Sequence, residues 1–254
     1  MPVQDPNSRS PPTRFAVALF PGFQALDVFG PLDILNMLSK QTPLSLYILS
    51  ATLDPVSTKT PASGHSVSQA VVPTHTYADS PDDIEVLLLP GGAGTRDPEN
   101  IRELVDFVRG AYPRLRYLLT VCTGSAVAAK SGVLDGRRAT SNKRAWEWAT
   151  AQGPNVNWVR HARWVTDGNI WTSSGISAGI DMTYAFVGDQ WGEDVARTLA
   201  DASEYVRNTD PGVDPFAGGE KGEGDCVSAA KTGQTLLKVE VTISTYLLQL
   251  GDKF

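Results

Sequence analysis

Short apolar runs alternate along most of this chain with longer segments whose apolar residues recur at helical spacing. Runs without strict alternation of apolar and polar residues predict strands that are covered on both faces. The segment Ser57–Val72 predicts a further extended stretch or a β-hairpin. The predicted strands are Phe15–Phe20, Leu44–Ala51, Ile84–Leu89, Tyr117–Val121 and two β-rich runs within Trp158–Ser173 around the turn Thr166–Asn169.

Apolar residues at helical spacing predict α-helices in the segments between these strands. The first predicted helix contains Pro31, which we expect in its first turn because proline lacks the N–H needed farther inside. Asp27 would then lie in the connecting segment after the first strand. The predicted helices are Ala25–Leu38, Asn100–Ala111, Thr123–Ser131, Lys143–Gln152, Asp181–Gln190 and Glu193–Glu204.

The order of these elements predicts a single α/β domain over residues 14–216, with a mostly parallel sheet flanked by helices on both faces, a three-layer α/β/α sandwich. Residues 1–13 hold four prolines and no apolar stretch, and they predict a disordered leader. Residues 217–254 predict a polar linker followed by an appendage of unknown order.

Three features follow predicted strands directly: Asp27, the pair Gly91-Gly92, and Cys122. In open α/β sheets, ligands bind beyond the carboxyl ends of the strands. We therefore expect these residues to converge on one functional site.

Cys122 stands where a predicted strand meets a predicted helix, and small residues follow it. A thiol at a helix N-terminus is stabilised as thiolate by unpaired N–H groups and the helix dipole, which favours a nucleophile. The alternative is a buried core cysteine, the commoner fate of a single intracellular thiol.

The other two features, Gly91-Gly92 and Asp27, also have two interpretations each. Gly91-Gly92 is either a tight turn or a pair of N–H donors that, with the Thr123 N–H, form an oxyanion hole. Asp27 is either a helix cap or a carboxyl group that exchanges a proton with substrate beside the thiol.

Gly175-Ile-Ser-Ala-Gly179 matches the glycine-x-serine-x-glycine elbow of serine hydrolases. That fold places its histidine after the serine, whereas His65, His75 and His161 all precede Ser177. The chain order excludes the triad, and we expect this segment to wrap its backbone, with Ser177, close to the same cleft.

The charge and composition of the chain limit the classes of function that it could have. The net charge of −6 argues against general binding to nucleic acid or anionic membranes. The basic cluster Arg137, Arg138, Lys143 and Arg144 is expected to border a helix. Two cysteines, no signal-like N-terminus and no long apolar run predict a cytoplasmic protein. Histidines at metal-ligand spacing and nucleotide-binding glycine motifs are absent from the sequence.

Several stretches together resemble the DJ-1/PfpI superfamily, whose fold is the flavodoxin-like class I glutamine-amidotransferase type. Within it, the aspartate followed by Gly-Pro and the Cys-Thr-Gly-Ser stretch are most similar to the isonitrile hydratase branch. The matching stretches are Phe20-Pro-Gly-Phe-Gln-Ala-Leu-Asp-Val-Phe-Gly-Pro-Leu32, Leu89-Pro-Gly-Gly-Ala-Gly94, Val121-Cys-Thr-Gly-Ser125, Gly132-Val-Leu-Asp-Gly-Arg-Arg-Ala-Thr140 and Ser174-Gly-Ile-Ser-Ala-Gly-Ile-Asp181.

The resemblance implies that Cys122 attacks the isonitrile carbon, that Asp27 is the general acid/base and that Thr123 lies beside the thiol. It also implies a homodimer that acts on a small molecule without a cofactor. Many relatives carry a histidine twenty residues after the cysteine, where this chain has Asn142. A Cys–His dyad is thus excluded, and Asn142 is expected to reshape the pocket.

The expected function is a cofactor-free, cysteine-dependent hydratase or lyase that converts an isonitrile to an N-formamide. One alternative is an enzyme for another small electrophile, such as an α-oxoaldehyde or a specialised metabolite. The other is a non-catalytic redox sensor whose thiol oxidises. A DNA-bound regulator is not expected, because the tail after Phe216 is short and not basic.

Overall fold

The fold is described for residues 10–60 and 67–218 of a computed structural model. Residues 1–9, 61–66 and 219–254 lie outside the described residues. Most of the predicted leader and nearly all of the predicted linker and appendage therefore lie outside them as well. The described residues belong to one compact unit that ends at Gly218.

Strands form at every apolar run that the sequence singles out, and several two-residue strands are added to them. The strands of the described chain are β1 (Arg14–Ala18), β2 (Ser45–Ser50), β3 (Val56–Ser57), β4 (Ala70–Val71), β5 (His75–Thr76), β6 (Val86–Leu89), β7 (Tyr117–Thr120), β8 (Arg138–Ala139), β9 (Asn157–Trp158), β10 (Trp164–Asp167) and β11 (Ile170–Ser173).

Helices fill the intervals between the longer strands. Short 3-10 turns cover Ala93–Arg96 and Tyr112–Arg114. The α-helices of the described residues are α1 (Ala25–Leu38), α2 (Pro98–Ala111), α3 (Gly124–Lys130), α4 (Trp146–Thr150), α5 (Ala178–Trp191) and α6 (Glu193–Ala202).

A seven-stranded sheet in the order β10-β11-β7-β6-β1-β2-β5 forms the middle layer. Neighbouring strands run parallel, except that β10 pairs antiparallel with β11 through the turn at Gly168. The central strands β1, β6 and β7 are almost wholly buried. This explains their continuous apolar sequence, since a parallel sheet is covered on both faces.

The helices fall into two contacting groups, one made of α1, α5 and α6 and the other of α2, α3 and α4. With the sheet between them, the chain is a three-layer α/β/α sandwich of the flavodoxin-like type, as the sequence predicts. The carboxyl ends of β1, β6 and β7 lie side by side because these strands are parallel neighbours. The segments that follow them therefore meet at one edge of the sheet.

The prediction for the first helix is wrong in one respect. Helix α1 runs through Pro31, which is inside the helix rather than in its first turn. Asp27 therefore lies in the first turn of α1 and not in a connecting segment. Pro31 is buried and has no N–H to donate to the carbonyl of Asp27 four residues earlier, so α1 lacks that hydrogen bond.

Several other boundaries differ from the prediction, among them the start of α5 at Ala178, and two of the differences involve hydrogen bonds. Helix α4 begins at Trp146, three residues later than expected, because Asn142 and Lys143 direct their side chains into hydrogen bonds inside the fold. At the start of the domain, Thr13 is not disordered: its N–H donates to Glu85 Oε2 at 2.8 Å, and its carbonyl accepts from Ser45.

Candidate active site

Cys122 occupies a sharp turn between the end of β7 at Thr120 and the start of α3 at Gly124. Its φ of 59° lies in the left-handed region, where residues other than glycine rarely occur. The N–H of Cys122 donates to the carbonyl of Ser174 at 3.1 Å, which holds the turn in place. The thiol is thus fixed at the carboxyl edge of the sheet.

Three N–H donors surround the sulfur of Cys122. The backbone N–H groups of Thr123 and Ile176 act on the thiol as hydrogen-bond donors and lower the pKa of Cys122. The side-chain amide of Asn142 donates to it at 3.2 Å. These donors stabilise negative charge on sulfur when that charge develops.

Asp27 is fully buried and lies beside the thiol. Its Oδ2 accepts the N–H of Gly91 at 2.9 Å, so the carboxyl group faces the sheet edge and does not cap its own helix. Oδ1 is buried and makes no well-formed hydrogen bond within the described part of the chain. The neighbouring Cys122 thiol does act on the carboxyl group, and it lowers the pKa of Asp27.

Burial dominates the ionisation of this pair. It raises the pKa of Asp27 from 3.8 to about 7, although the Gly91 N–H and the thiol oppose the shift. Burial and the nearby Asp27 charge raise the pKa of Cys122 to about 12, against the three N–H donors. Burial therefore opposes the resting thiolate that the helix start favours, and it raises the pKa of the adjacent carboxyl group toward neutrality.

Gly91 and Gly92 lie at the site, but their N–H groups already have partners. Gly91 donates to Asp27, and Gly92 donates to Thr123 Oγ1 at 3.0 Å. Thr95 also donates to Thr123 Oγ1, at 3.2 Å. As the site stands, the two glycines do not form the predicted oxyanion hole, and instead they position the carboxyl group and the threonine.

The absence of a side chain at Gly91 is required for this arrangement. A Cβ atom there would lie 2.5 Å from the Thr123 nitrogen and 2.6 Å from its Oγ1. Gly175 has a similar role, because a Cβ there would lie 2.5 Å from the amide nitrogen of Asn142. Both glycines therefore leave room for groups that contact the cysteine turn.

Asn142 lies at the site as the sequence predicts. Its amide nitrogen donates to Cys122, while its Oδ1 accepts the N–H of Ala145 at 2.9 Å. These two hydrogen bonds fix the orientation of the side chain. Asn142 is thus a donor to sulfur, and it cannot act as a base.

Ser177 lies at the outer margin of the site. Its side chain is exposed and accepts from Arg163 at 3.3 Å. Ser177 and Asn142 border the same cavity of about 280 Å³, which is open to solvent. The neighbouring Ile176, whose φ of 41° is unusual for a β-branched residue, donates to the sulfur. Sequence pattern gave no signal for that role.

The sequence carries no sign that Lys143 is buried, because its basic neighbours are typical of a solvent-exposed face. Its ammonium group donates to Thr140 Oγ1, to Ser174 Oγ and to the carbonyls of Ser141 and Ala162, at 2.8 to 3.2 Å. Burial lowers the pKa of Lys143 to about 8. The ammonium thus joins segments that flank the cysteine turn.

Within residues 10–60 and 67–218, no set of three or more histidine, cysteine, aspartate or glutamate side chains is grouped so that it could hold a metal ion. Among the same residues, no helix has both the length and the apolarity required to cross a membrane.

Residues 13–188 match the sequence profile of the DJ-1/PfpI family. The chain belongs to the DJ-1/PfpI family. Its cysteine turn and the glycine pair after β6 both fall within the matched residues.

Other DJ-1/PfpI proteins show what this chain resembles. It is 33% identical over 189 residues to an isonitrile hydratase of Pseudomonas putida, an alignment that covers 74% of this chain and 76% of the relative. It is 35% identical over 98 residues to a deglycase of Pyrococcus abyssi, covering 37% of this chain and 55% of that protein. The family therefore includes enzymes.

A solved structure supports the same fold. The crystal structure of a ThiJ/PfpI family protein from Pseudomonas syringae superposes with a TM-score of 0.64 and 28% sequence identity. The superposition covers 82% of this chain and 83% of that protein. The DJ-1/PfpI core described above is therefore shared beyond the short motifs around the site.

Proposed function

We propose that this protein is a cysteine-dependent hydratase that needs no cofactor and converts isonitriles, R–N≡C, to N-formamides. The observation that carries the proposal is the pairing of the Cys122 thiol with a buried carboxyl group of Asp27. One oxygen of that carboxyl group is held by Gly91, and the other has no hydrogen-bond partner of good geometry among the described residues. Such a group can carry a proton between sulfur and carbon.

The first step is addition of the thiol to the terminal carbon of the isonitrile. The Asp27 carboxylate accepts the thiol proton while Sγ bonds to carbon, and it then delivers that proton to the same carbon. The product is the thioimidate R–N=CH–S–Cys122, formed without net gain or loss of protons or electrons. The donors Thr123, Ile176 and Asn142 stabilise the charge that develops on sulfur.

The second step is hydrolysis of the thioimidate. Asp27 removes a proton from water as the water oxygen bonds to carbon, and it passes that proton to the nitrogen. The hydroxyl group of the adduct then loses its proton to Asp27 as the carbon–sulfur bond breaks, Asp27 returns this proton to sulfur, and R–NH–CHO leaves. A carboxyl group with a pKa of about 7 suits both directions of proton transfer at neutral pH.

A second candidate is an enzyme for another small electrophile, such as an α-oxoaldehyde. The partial similarity to the Pyrococcus abyssi deglycase favours it. A redox sensor has less support, because burial raises the pKa of Cys122 and peroxide reacts with thiolates.

One assay separates these functions. The purified protein is incubated with a panel of alkyl and aryl isonitriles and, separately, with methylglyoxal, while formamide and lactate are followed by NMR. We expect formamide from isonitriles and no lactate. Lactate without formamide would favour the second candidate, and absence of formamide from every isonitrile would refute the hydratase.

We further propose that the protein works as a homodimer in the cytoplasm. A reducing compartment keeps Cys122 as the free thiol that the reaction needs. Three large apolar side chains, Leu26, Phe29 and Leu46, are partly exposed around one groove beside α1, a surface suited to a second copy. Light scattering should give twice the chain mass, and Phe29→Lys should lower it to one chain.

A further inference from the structure

Residues 205–217, here called the wall segment, follow α6 and return along the edge of the active site. Tyr205 and the N–H of Asn208 both donate to Asp181 Oδ1, at 3.0 and 2.9 Å. The carbonyl of Pro211 accepts the N–H of Arg163 at 2.7 Å. The first half of the wall segment is therefore tied to α5 and to the residue that precedes β10.

A buried ion pair holds the second half of the wall segment. The Lys143 ammonium lies 3.3 Å from Asp214 Oδ2, and the exposed fractions of the two side chains are 4% and 0%. The same ammonium donates to Ser174 and to the carbonyl of Ser141. The Ser174 carbonyl accepts the Cys122 N–H, and the Ser141 hydroxyl donates to the Cys122 carbonyl. The wall segment is thus anchored to the backbone of the cysteine turn.

Asp214 also fixes the position of Phe216. Its Oδ1, the oxygen not facing Lys143, accepts the N–H of Phe216 at 3.0 Å. On the other side, the carbonyl of Ala217 accepts from Arg160 at 2.9 Å, and Ala217 is buried. The backbone on both sides of Phe216 is therefore held.

The ring of Phe216 itself is 70% exposed. It borders the cavity of about 280 Å³ that is also lined by Asn142 and Ile176, the residues whose N–H groups contact the Cys122 sulfur. A cavity of this size is near the lower limit for small-molecule sites. A large apolar side chain that lines such a cavity and is held by its neighbours offers a surface for an apolar substrate group.

We propose that Phe216 is a specificity-determining residue, placed by the Lys143–Asp214 ion pair, which selects isonitriles with an apolar substituent about the size of a six-membered ring. This inference rests on the proposed hydratase function and adds its substrate class. Phe216 contacts the substituent and takes no part in bond making. Its contribution depends on the size of the substituent, because a short one does not reach the ring.

The test compares cyclohexyl isonitrile with methyl isonitrile in four proteins: wild type, Phe216→Ala, Phe216→Leu and Val213→Ala. Val213 is a matched control, since it is an exposed apolar residue of the wall segment that does not line the cavity. The measured quantity is the ratio of kcat/KM for the two substrates. Phe216→Ala should lower this ratio about tenfold, Phe216→Leu should lower it less, and Val213→Ala should leave it unchanged.

Two outcomes would overturn the inference. In the first, the ratio stays constant in Phe216→Ala, either because neither kcat/KM changes or because both substrates lose kcat/KM equally through a structural effect. In the second, Val213→Ala changes the ratio as much as Phe216→Ala. Because Phe216 is exposed, its replacement should not unfold the protein, and circular dichroism checks this.

Failure of the hydratase proposal would be seen separately, as wild-type protein that forms no formamide. In that case, binding of N-cyclohexylformamide and N-methylformamide is measured by titration followed by NMR. About tenfold weaker binding of the cyclohexyl compound to Phe216→Ala would still support the wall-segment surface. Equal binding to wild type and variant, or no binding to either, would refute it.

Discussion

Asn142 donates its side-chain amide to the sulfur of Cys122 at 3.2 Å. An amide can stabilise charge on sulfur, but it neither takes nor gives a proton at neutral pH. The proton of the thiol must therefore go to another group, and Asp27 is the titratable side chain that acts on Cys122. In the proposed reaction, proton transfer thus depends on a carboxyl group.

Replacement of Asp27 by asparagine should abolish hydration. Asparagine keeps the size of the side chain but cannot accept the thiol proton, so we expect kcat/KM to fall about a thousandfold or more. Alkylation of Cys122 by iodoacetamide at high pH, followed by mass spectrometry, serves as the control that the thiol is still present. Unchanged turnover would return Asp27 to a structural role.

The activity of the wild type should follow the ionisation of Asp27. Because the carboxylate is the active form and its pKa is raised to about 7, kcat/KM should rise with pH up to about 7 and then level off. A mechanism that needs a preformed thiolate would instead continue to gain activity toward the pKa of Cys122, about 12. A pH–rate profile from pH 5 to 9.5 distinguishes the two.

The same carboxyl group should cost stability at neutral pH. Its pKa is higher in the folded chain, about 7, than the unfolded value of 3.8, so the folded state binds more protons between these values. Relative to Asp27→Asn, the wild type is therefore most stable below about pH 4 and loses stability as the pH rises to about 7. Urea unfolding at pH 5 and pH 8 should show the difference growing by about 2–3 kcal/mol. A constant difference would contradict the raised pKa.

Replacement of Asn142 by alanine should slow the thiol without unfolding the chain. Loss of one donor to sulfur raises the pKa of Cys122 further, and we expect alkylation at a fixed alkaline pH to slow about tenfold. Asn155→Ala is the matched control, because Asn155 contacts Asp135 at an exposed position. Equal rates for all three proteins would show that the Asn142 hydrogen bond does not act on the sulfur.

The ion pair of Arg163 with Asp181 should be important for stability. Both side chains are buried, and Asp181 accepts from Arg163, Tyr205 and Asn208. Asp181→Asn leaves the buried guanidinium without a countercharge, so the free energy of unfolding should fall by about 3–5 kcal/mol. Asp194→Asn removes only an exposed contact with Arg197 and should cost less than about 1 kcal/mol. Thermal unfolding of the two variants compares these values.

Much of the fold could be predicted because parallel strands must be apolar on both faces. Runs such as Phe15–Phe20 and Ile84–Leu89 therefore stand out in the sequence, and their parallel order brings Asp27, Gly91 and Cys122 to one edge. By contrast, β8 and β9 have two residues each and carry no periodicity that could be recognised.

Other parts of the site depend on long-range packing that local pattern does not encode. Lys143 and Asp214 lie far apart in the sequence, with α5 and α6 between them. Neither residue alone indicates an ion pair. From the sequence, the N–H groups of Gly91 and Gly92 are expected to be available to a substrate. In the structure they donate to side-chain oxygens of Asp27 and Thr123. The pKa of Cys122 depends on burial, which outweighs the effect of the helix start.

The raised pKa of the buried Cys122 thiol has a consequence for its reactivity toward oxidants. Peroxide and environmental alkylating agents consume thiolates, and a sulfur with a pKa of about 12 presents very little thiolate at neutral pH. In the proposed mechanism, reaction then requires a partner that enters the pocket and bonds to sulfur while Asp27 takes up the thiol proton. The low reactivity of the free thiol would protect Cys122 from oxidation while no substrate is bound.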